Sequence, residues 1–149
     1  MLKFYNFVLS VASTENIIEN KIMDESKNQL LLVEDDLLIR ELYKRQMELS
    51  GLPTDAVDNG VDAIAAAQKK KYDLILLDIM MPKMNGLDVL KVLKADEKTK
   101  SIPVYFLTNL GQDSILQEGM KVGAAGFLIK ASYTPAELID EVKKILAKL

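Results

Sequence analysis

Hydrophobic residues along this chain fall into short solid runs separated by longer mixed stretches, as expected when buried strands alternate with amphipathic helices. Leu30-Leu31-Leu32-Val33 is one such run and stops at three acids, Glu34-Asp35-Asp36. Leu74-Ile75-Leu76-Leu77 stops at Asp78, Ile102 to Leu107 at Thr108, and Phe127-Leu128-Ile129 at Lys130. Thr54-Asp55-Ala56-Val57 predicts a shorter strand. In the first intervening helix, Leu38, Leu42, Arg45 and Leu49 share one stripe, and Gly51 ends it. Asn59-Gly60 suits a hairpin turn, but the alanine-rich VDAIAAAQKKK that follows predicts a helix, with Ala63 and Ala67 small enough for close packing. Leu87, Leu90 and Leu93 mark a third helix, and 112–122 a fourth with few apolar anchors. Thr134-Pro135-Ala136-Glu137 opens the last helix as a capping box with proline at its first position. Its stripe is Leu138, Val142, Ile145 and Leu149. Strand–helix units with short connections predict a parallel sheet covered by helices on both faces.

Composition narrows the chemistry. The 149 residues suit one domain, and 49% hydrophobic with 28% charged residues is a globular balance. The net charge of −3 argues against a broad nucleic-acid surface. With no cysteine and no histidine, the chain has no disulfide, no thiolate or imidazole metal site, no Ser-His-Asp catalysis and no phosphohistidine of its own. The first residues, MLKFYNFVLSVAS, have the length of a signal peptide's apolar part but are broken by Asn6 and Ser10. They are too short to span a bilayer, which takes roughly 20 apolar residues. Residues 1–28 are expected to be a poorly ordered extension and residues 29–149 the domain, with Met23-Asp24-Glu25-Ser26 a natural opening.

The polar residues that end the strands decide more. Ligands of open α/β sheets bind beyond the carboxyl ends of the strands, where strand order reverses. Glu34, Asp35, Asp78, Thr108 and Lys130 all occupy such ends. Two carboxylates about 4 Å apart repel by roughly 4 kcal/mol at an effective dielectric near 20, so three together need a proton or a cation. All-oxygen ligands that leave room for water suit Mg²⁺. A divalent ion there would recruit a phosphoryl group, with Lys130 and the Thr108 hydroxyl on its remaining oxygens. Asp78 becomes a candidate nucleophile.

Taken in order, Leu32-Val33-Glu34-Asp35-Asp36, Leu76-Leu77-Asp78-Ile79-Met80-Met81-Pro82 with Asn85-Gly86, Phe106-Leu107-Thr108, and Gly123-Ala124 leading to Phe127-Leu128-Ile129-Lys130 resemble a response-regulator receiver domain. The resemblance covers roughly residues 29–149. It implies a flavodoxin-like, doubly wound five-stranded parallel sheet of order 2-1-3-4-5 with five helices, the order of the chemotaxis receiver. It also implies that Asp78 accepts the phosphoryl group, and that Asp35 ligates Mg²⁺ directly while Glu34 reaches it through water. The main-chain carbonyl of Met80 would be a further ligand, Thr108 and Lys130 would engage the phosphoryl group, and Thr108 and Phe127 would form the switch. The implied donor is a sensor histidine kinase or phosphotransfer protein. The implied output is a downstream protein target or a homodimer through the helix 4–strand 5–helix 5 face, in the cytoplasm, with no nucleic-acid or membrane partner. Such a domain catalyses only its own Mg²⁺-dependent phosphorylation and dephosphorylation. The chain ends with its fifth helix, so no attached output domain is expected. One departure is Ala131 where many members have a cis proline; a non-proline cis bond costs about 2.5–4 kcal/mol, which favours trans here.

Two other readings fit parts of the pattern. A phosphatase of the haloacid-dehalogenase type also uses a strand-end aspartate with Mg²⁺, but its second acid would fall at Met80. A receiver-like module that binds partners without phosphorylation would not need the acids, Thr108 and Lys130. No G-x-x-x-x-G-K-[ST] run exists for a P-loop enzyme.

Overall fold

A computed structural model of the chain describes residues 28–109 and 113–149. The predicted extension, save residue 28, lies outside these residues, as does position 112 at the start of the predicted fourth helix. The strands are β1 (Leu30–Val33), β2 (Thr54–Val57), β3 (Leu74–Asp78), β4 (Val104–Thr108) and β5 (Gly126–Ile129). They are parallel, in the order β2-β1-β3-β4-β5. The helices are α1 (Leu37–Leu49), α2 (Gly60–Lys69), α3 (Gly86–Ala95), α4 (Asp113–Val122) and α5 (Pro135–Lys148).

Strand periodicity divides the core in two, because successive side chains point to opposite faces. Leu31, Val33, Ile75, Leu77, Val104 and Phe106 pack with residues of α2, α3 and α4. Leu30, Leu32, Leu74, Leu76, Leu107 and Leu128 pack with residues of α1 and α5. Both sets are fully apolar, which is why the strands read as unbroken hydrophobic runs. Ala63 and Ala67 are buried as their size suggested. Asn59 caps α2 by accepting from the Asp62 N–H, so Asn59-Gly60 opens a helix and not a hairpin.

The structure corrects the stripe on α1. Leu38, Leu42 and Leu49 are 80%, 43% and 74% exposed, while Tyr43 and Met47 are buried and Ile39 packs beside them. The rotation of α1 is set at its first turn. Asp36 caps it by accepting from the Ile39 N–H, and Arg40 donates back to the carbonyls of Glu34 and Asp35. With those contacts made, 39, 43 and 47 face the sheet and the leucines face out. Leu149, expected on the α5 stripe, is also exposed, and α5 buries Leu138, Ile139 and Val142. β4 starts at Val104, two residues after the predicted Ile102, because Pro103 has no N–H to offer a ladder. The Pro103 carbonyl still accepts from the Ile75 N–H. The described peptide bonds are all trans, Lys130–Ala131 included, and a short 3₁₀ turn runs from Lys130 to Ser132.

Candidate functional site

Strand order reverses between β1 and β3, and register brings their ends level there. Val33 pairs with Leu77, so Glu34 and Asp78, one residue further in each strand, sit side by side. Leu107 pairs with Asp78, and Thr108 pairs with Ile129, which delivers Thr108 and then Lys130 to the same edge. Glu34, Asp78 and Thr108 are nearly inaccessible, at 1%, 4% and 1%, while Asp35 is exposed. Glu34, Asp35 and Asp78 each offer an oxygen within 4.8 Å of the others. A cleft of about 560 Å³ opens beside Asp35, lined among others by Asp58, Asn59, Lys83 and Met84.

Crowded carboxylates in a poorly hydrated place disfavour ionisation. Burial pushes the pKa of Asp78 from an ordinary 3.8 up to about 7; Lys130 opposes the rise, and Glu34 and Asp35 add to it. Lys130 Nζ donates to Glu34 Oε2 and lies 3.5 Å from Asp78 Oδ1. Burial works against the Lys130 charge, but the Glu34 and Asp78 carboxylates outweigh it and hold its pKa above the ordinary value. One lysine thus pairs with two of the three acids, leaving the pocket short of positive charge. That shortage, with an all-oxygen donor set, fits a hard divalent cation.

The remaining predicted residues take distinct positions. The Thr108 hydroxyl donates to the Asn109 carbonyl at 2.8 Å and not to Asp78. Phe127 is 45% exposed and, with Leu116, Met120 and Lys121, lines a groove of about 420 Å³ on α4 and β5. Met80, two residues beyond Asp78, turns its side chain to solvent at 57% exposure. Met81 is buried and Met84 packs against the core, as filler residues do.

Three contributors escaped the sequence. Arg40 bonds the main chain of the acidic loop; its one-turn distance from the Asp36 cap was the available signal, since helical side chains lean toward the N-terminus. Tyr43 is buried beneath the site, and burial raises its pKa, with Lys130 opposing and Glu34 assisting. Gly86, quoted above only within a motif, lets α3 approach β3: a Cβ there would lie 2.4 Å from the Asp78 carbonyl oxygen.

Comparison with known proteins bears on the family and the fold. The model of the response regulator receiver domain matches residues 30–143. The chain is 37% identical over 121 residues to a transcriptional regulatory protein CpxR homolog of Haemophilus influenzae, covering 81% of this chain and 51% of that protein. It is 34% identical over 119 residues to the phosphate regulon transcriptional regulatory protein PhoB of Pseudomonas aeruginosa, covering 80% and 52%. The chain therefore spans about half the length of these relatives. Among solved structures, chemotaxis protein CheY4 of Vibrio cholerae superimposes with a TM-score of 0.74 at 29% identity, covering 80% of this chain and 99% of that one. The receiver domain of Francisella response regulator 1452 gives 0.71 at 29% identity, covering 82% and 98%.

Proposed function

The chain belongs to the response regulator receiver family of two-component signalling, and from that premise we propose that Asp78 accepts a phosphoryl group and thereby switches binding to a protein partner. Receiver domains are signalling modules and not enzymes in the usual sense. What carries the proposal is the convergence at one sheet edge of a buried carboxylate, two further acids within 4.8 Å, and a lysine 3.5 Å away. The donor in this reading is the phosphohistidine of a sensor kinase or phosphotransfer protein, because the chain has no histidine itself. An Asp78 Oδ forms a bond to phosphorus as the P–N bond breaks, and the electron pair leaves on the imidazole, which retains its proton.

A Mg²⁺ held by Asp35, Asp78, Glu34 through water and the Met80 carbonyl would offset the charge of the acids and of the phosphoryl oxygens. Near neutral pH the uncompensated pocket keeps Asp78 partly protonated, and the protonated carboxyl is a poor nucleophile. Lys130, which lies between Glu34 and Asp78, would move to pair with the transferred group. Thr108 can release the Asn109 carbonyl and donate to a phosphoryl oxygen instead. The exposed leucines Leu37 and Leu38 follow the acids directly in the chain, at the start of α1, and would offer the phosphodonor an apolar surface.

The output in this reading runs through α4. That helix buries only Leu116 and Gly119 among its residues, so it is held less firmly than its neighbours and is suited to shift. Phosphorylation adds about −1.5 to −2 charges and three acceptor oxygens. Movement of Thr108 toward them would open space for Phe127 to turn inward, closing the α4–β5 groove and changing the α4–β5–α5 face for a target or a second copy. No helix among the described residues is long and apolar enough to cross a membrane, and a cytoplasmic location forms part of the proposal.

Incubation of the chain with a small-molecule phosphodonor and Mg²⁺ tests it. Intact mass should rise by one phosphoryl group in the wild type and not in Asp78→Asn. Full labelling of the Asn variant would transfer the role to another carboxylate, and no labelling of either would favour a phosphorylation-independent interaction module.

A further inference from the structure

We infer that Arg40 is a positioning residue for the acidic pocket: its guanidinium holds the main chain of Glu34 and Asp35 in the course that turns both carboxylates toward Asp78. The inference rests on the proposal that this pocket takes a divalent cation. Residues 34–36 join β1 to α1, and their N–H groups are held separately, Glu34 by the Val57 carbonyl and Asp36 by Glu34 Oε1. The carbonyls of Glu34 and Asp35 are held by a side chain. Arg40 Nη1 donates to Glu34 O at 2.9 Å and to Asp35 O at 3.2 Å. One side chain thus fixes two consecutive peptide units, both bearing acids of the pocket, and ties them to the first turn of α1.

The geometry favours a clamp over a countercharge. A guanidinium is planar, with its donors in a rigid fork, whereas a lysine ammonium is a point charge on a flexible stem. The two roles also have opposite consequences for cation binding. As a clamp, Arg40 lowers the cost of ordering the ligand loop, and its loss weakens binding. As a positive charge near the pocket it repels a second cation, so its loss as a mere charge would strengthen binding.

The test uses the full chain with Arg40→Lys and Arg40→Met, titrated with MgCl₂ by calorimetry, alongside urea unfolding without Mg²⁺. Loss of a group that orients a metal ligand typically weakens metal binding 10–100-fold, and we expect about tenfold for Arg40→Met, at the low end because the contacts are to main chain. Arg40→Lys should fall between it and the wild type, since an ammonium can reach one carbonyl. Phosphorylation of both variants by a small-molecule donor should need more Mg²⁺ yet reach the wild-type maximal rate once Mg²⁺ saturates, a split that general loss of structure would not give. Should Arg40→Met fail to fold, Arg40→Lys carries the same comparison. Wild-type affinity in Arg40→Lys, or tighter binding in Arg40→Met, overturns the clamp and leaves the cation pocket standing. Absence of a binding signal in the wild type overturns the pocket itself, and the clamp with it.

Discussion

Replacing Asp78 by Asn should stabilise the cation-free protein, by an amount that grows with pH. Burial raises the Asp78 pKa to about 7 from an ordinary 3.8, against the pull of Lys130 and with the help of Glu34 and Asp35. A carboxyl whose pKa is higher in the folded than in the unfolded state supports folding only while protonated. Between these two values the folded protein binds more protons than the unfolded one, so stability falls as pH rises through that window. Below it, wild type and Asn variant should be alike. Above it, the wild type carries a buried charge that Asn lacks. At 1.36 kcal/mol per tenfold change in proton affinity, the gap bounds this penalty at about 4 kcal/mol. Because water and neighbouring side chains can relax around a charge placed there, we expect about 2 kcal/mol of it to appear near pH 8. Urea unfolding followed by circular dichroism, in chelator at about pH 4, 6 and 8, measures the difference. Equal stabilities at every pH, or an Asn advantage greatest in acid, would refute the reasoning and describe a well-hydrated Asp78. Saturating Mg²⁺ should narrow the gap, because it binds only the folded wild type with full affinity.

The other predictions draw on separate parts of the structure. Asp35→Ala should remove most of the thermal stabilisation that millimolar-range Mg²⁺ gives the wild type; an unchanged response would take Asp35 out of the ligand set. Leu38→Lys should alter stability by no more than about 0.5 kcal/mol, whereas Met47→Ala, in the core, should cost about 2–5 kcal/mol by denaturant unfolding; the reverse order would restore the leucine stripe to the core. Gly86→Ala should cost about 1–3 kcal/mol and slow phosphoryl uptake, since its methyl would press on the Asp78 carbonyl 2.4 Å away; normal stability and uptake would show that α3 can yield. Amide exchange with a phosphoryl mimic should change in α4, in β5 and in the 79–86 loop, and changes confined to the pocket would remove the proposed switch.

Much of this was written locally in the chain. Strand-end chemistry was legible because a strand buried on both faces is a solid apolar run, and a polar residue closing it must stand at the sheet edge. Leu74–Leu77 ahead of Asp78 and Leu30–Val33 ahead of Glu34 therefore gave both the strands and the candidate pocket. Caps were equally local: Thr134 and Glu137 complete each other's hydrogen bonds within one turn of α5. What the sequence could not fix were properties set by neighbours distant in the chain. The leucines of α1 form the more hydrophobic stripe, yet Arg40 and Asp36 lock the helix with Tyr43 and Met47 inward. A hydrophobic count cannot weigh a rotation decided by hydrogen bonds to the preceding loop. The close approach at Gly86 had no local sign because the backbone it meets belongs to Asp78, on another element. The elevated pKa of Asp78 likewise arises from burial and from Glu34, Asp35 and Lys130 meeting across up to 96 residues of chain. Residue type supplied the candidate groups, and only packing across the sheet set their burial and the charge balance around them.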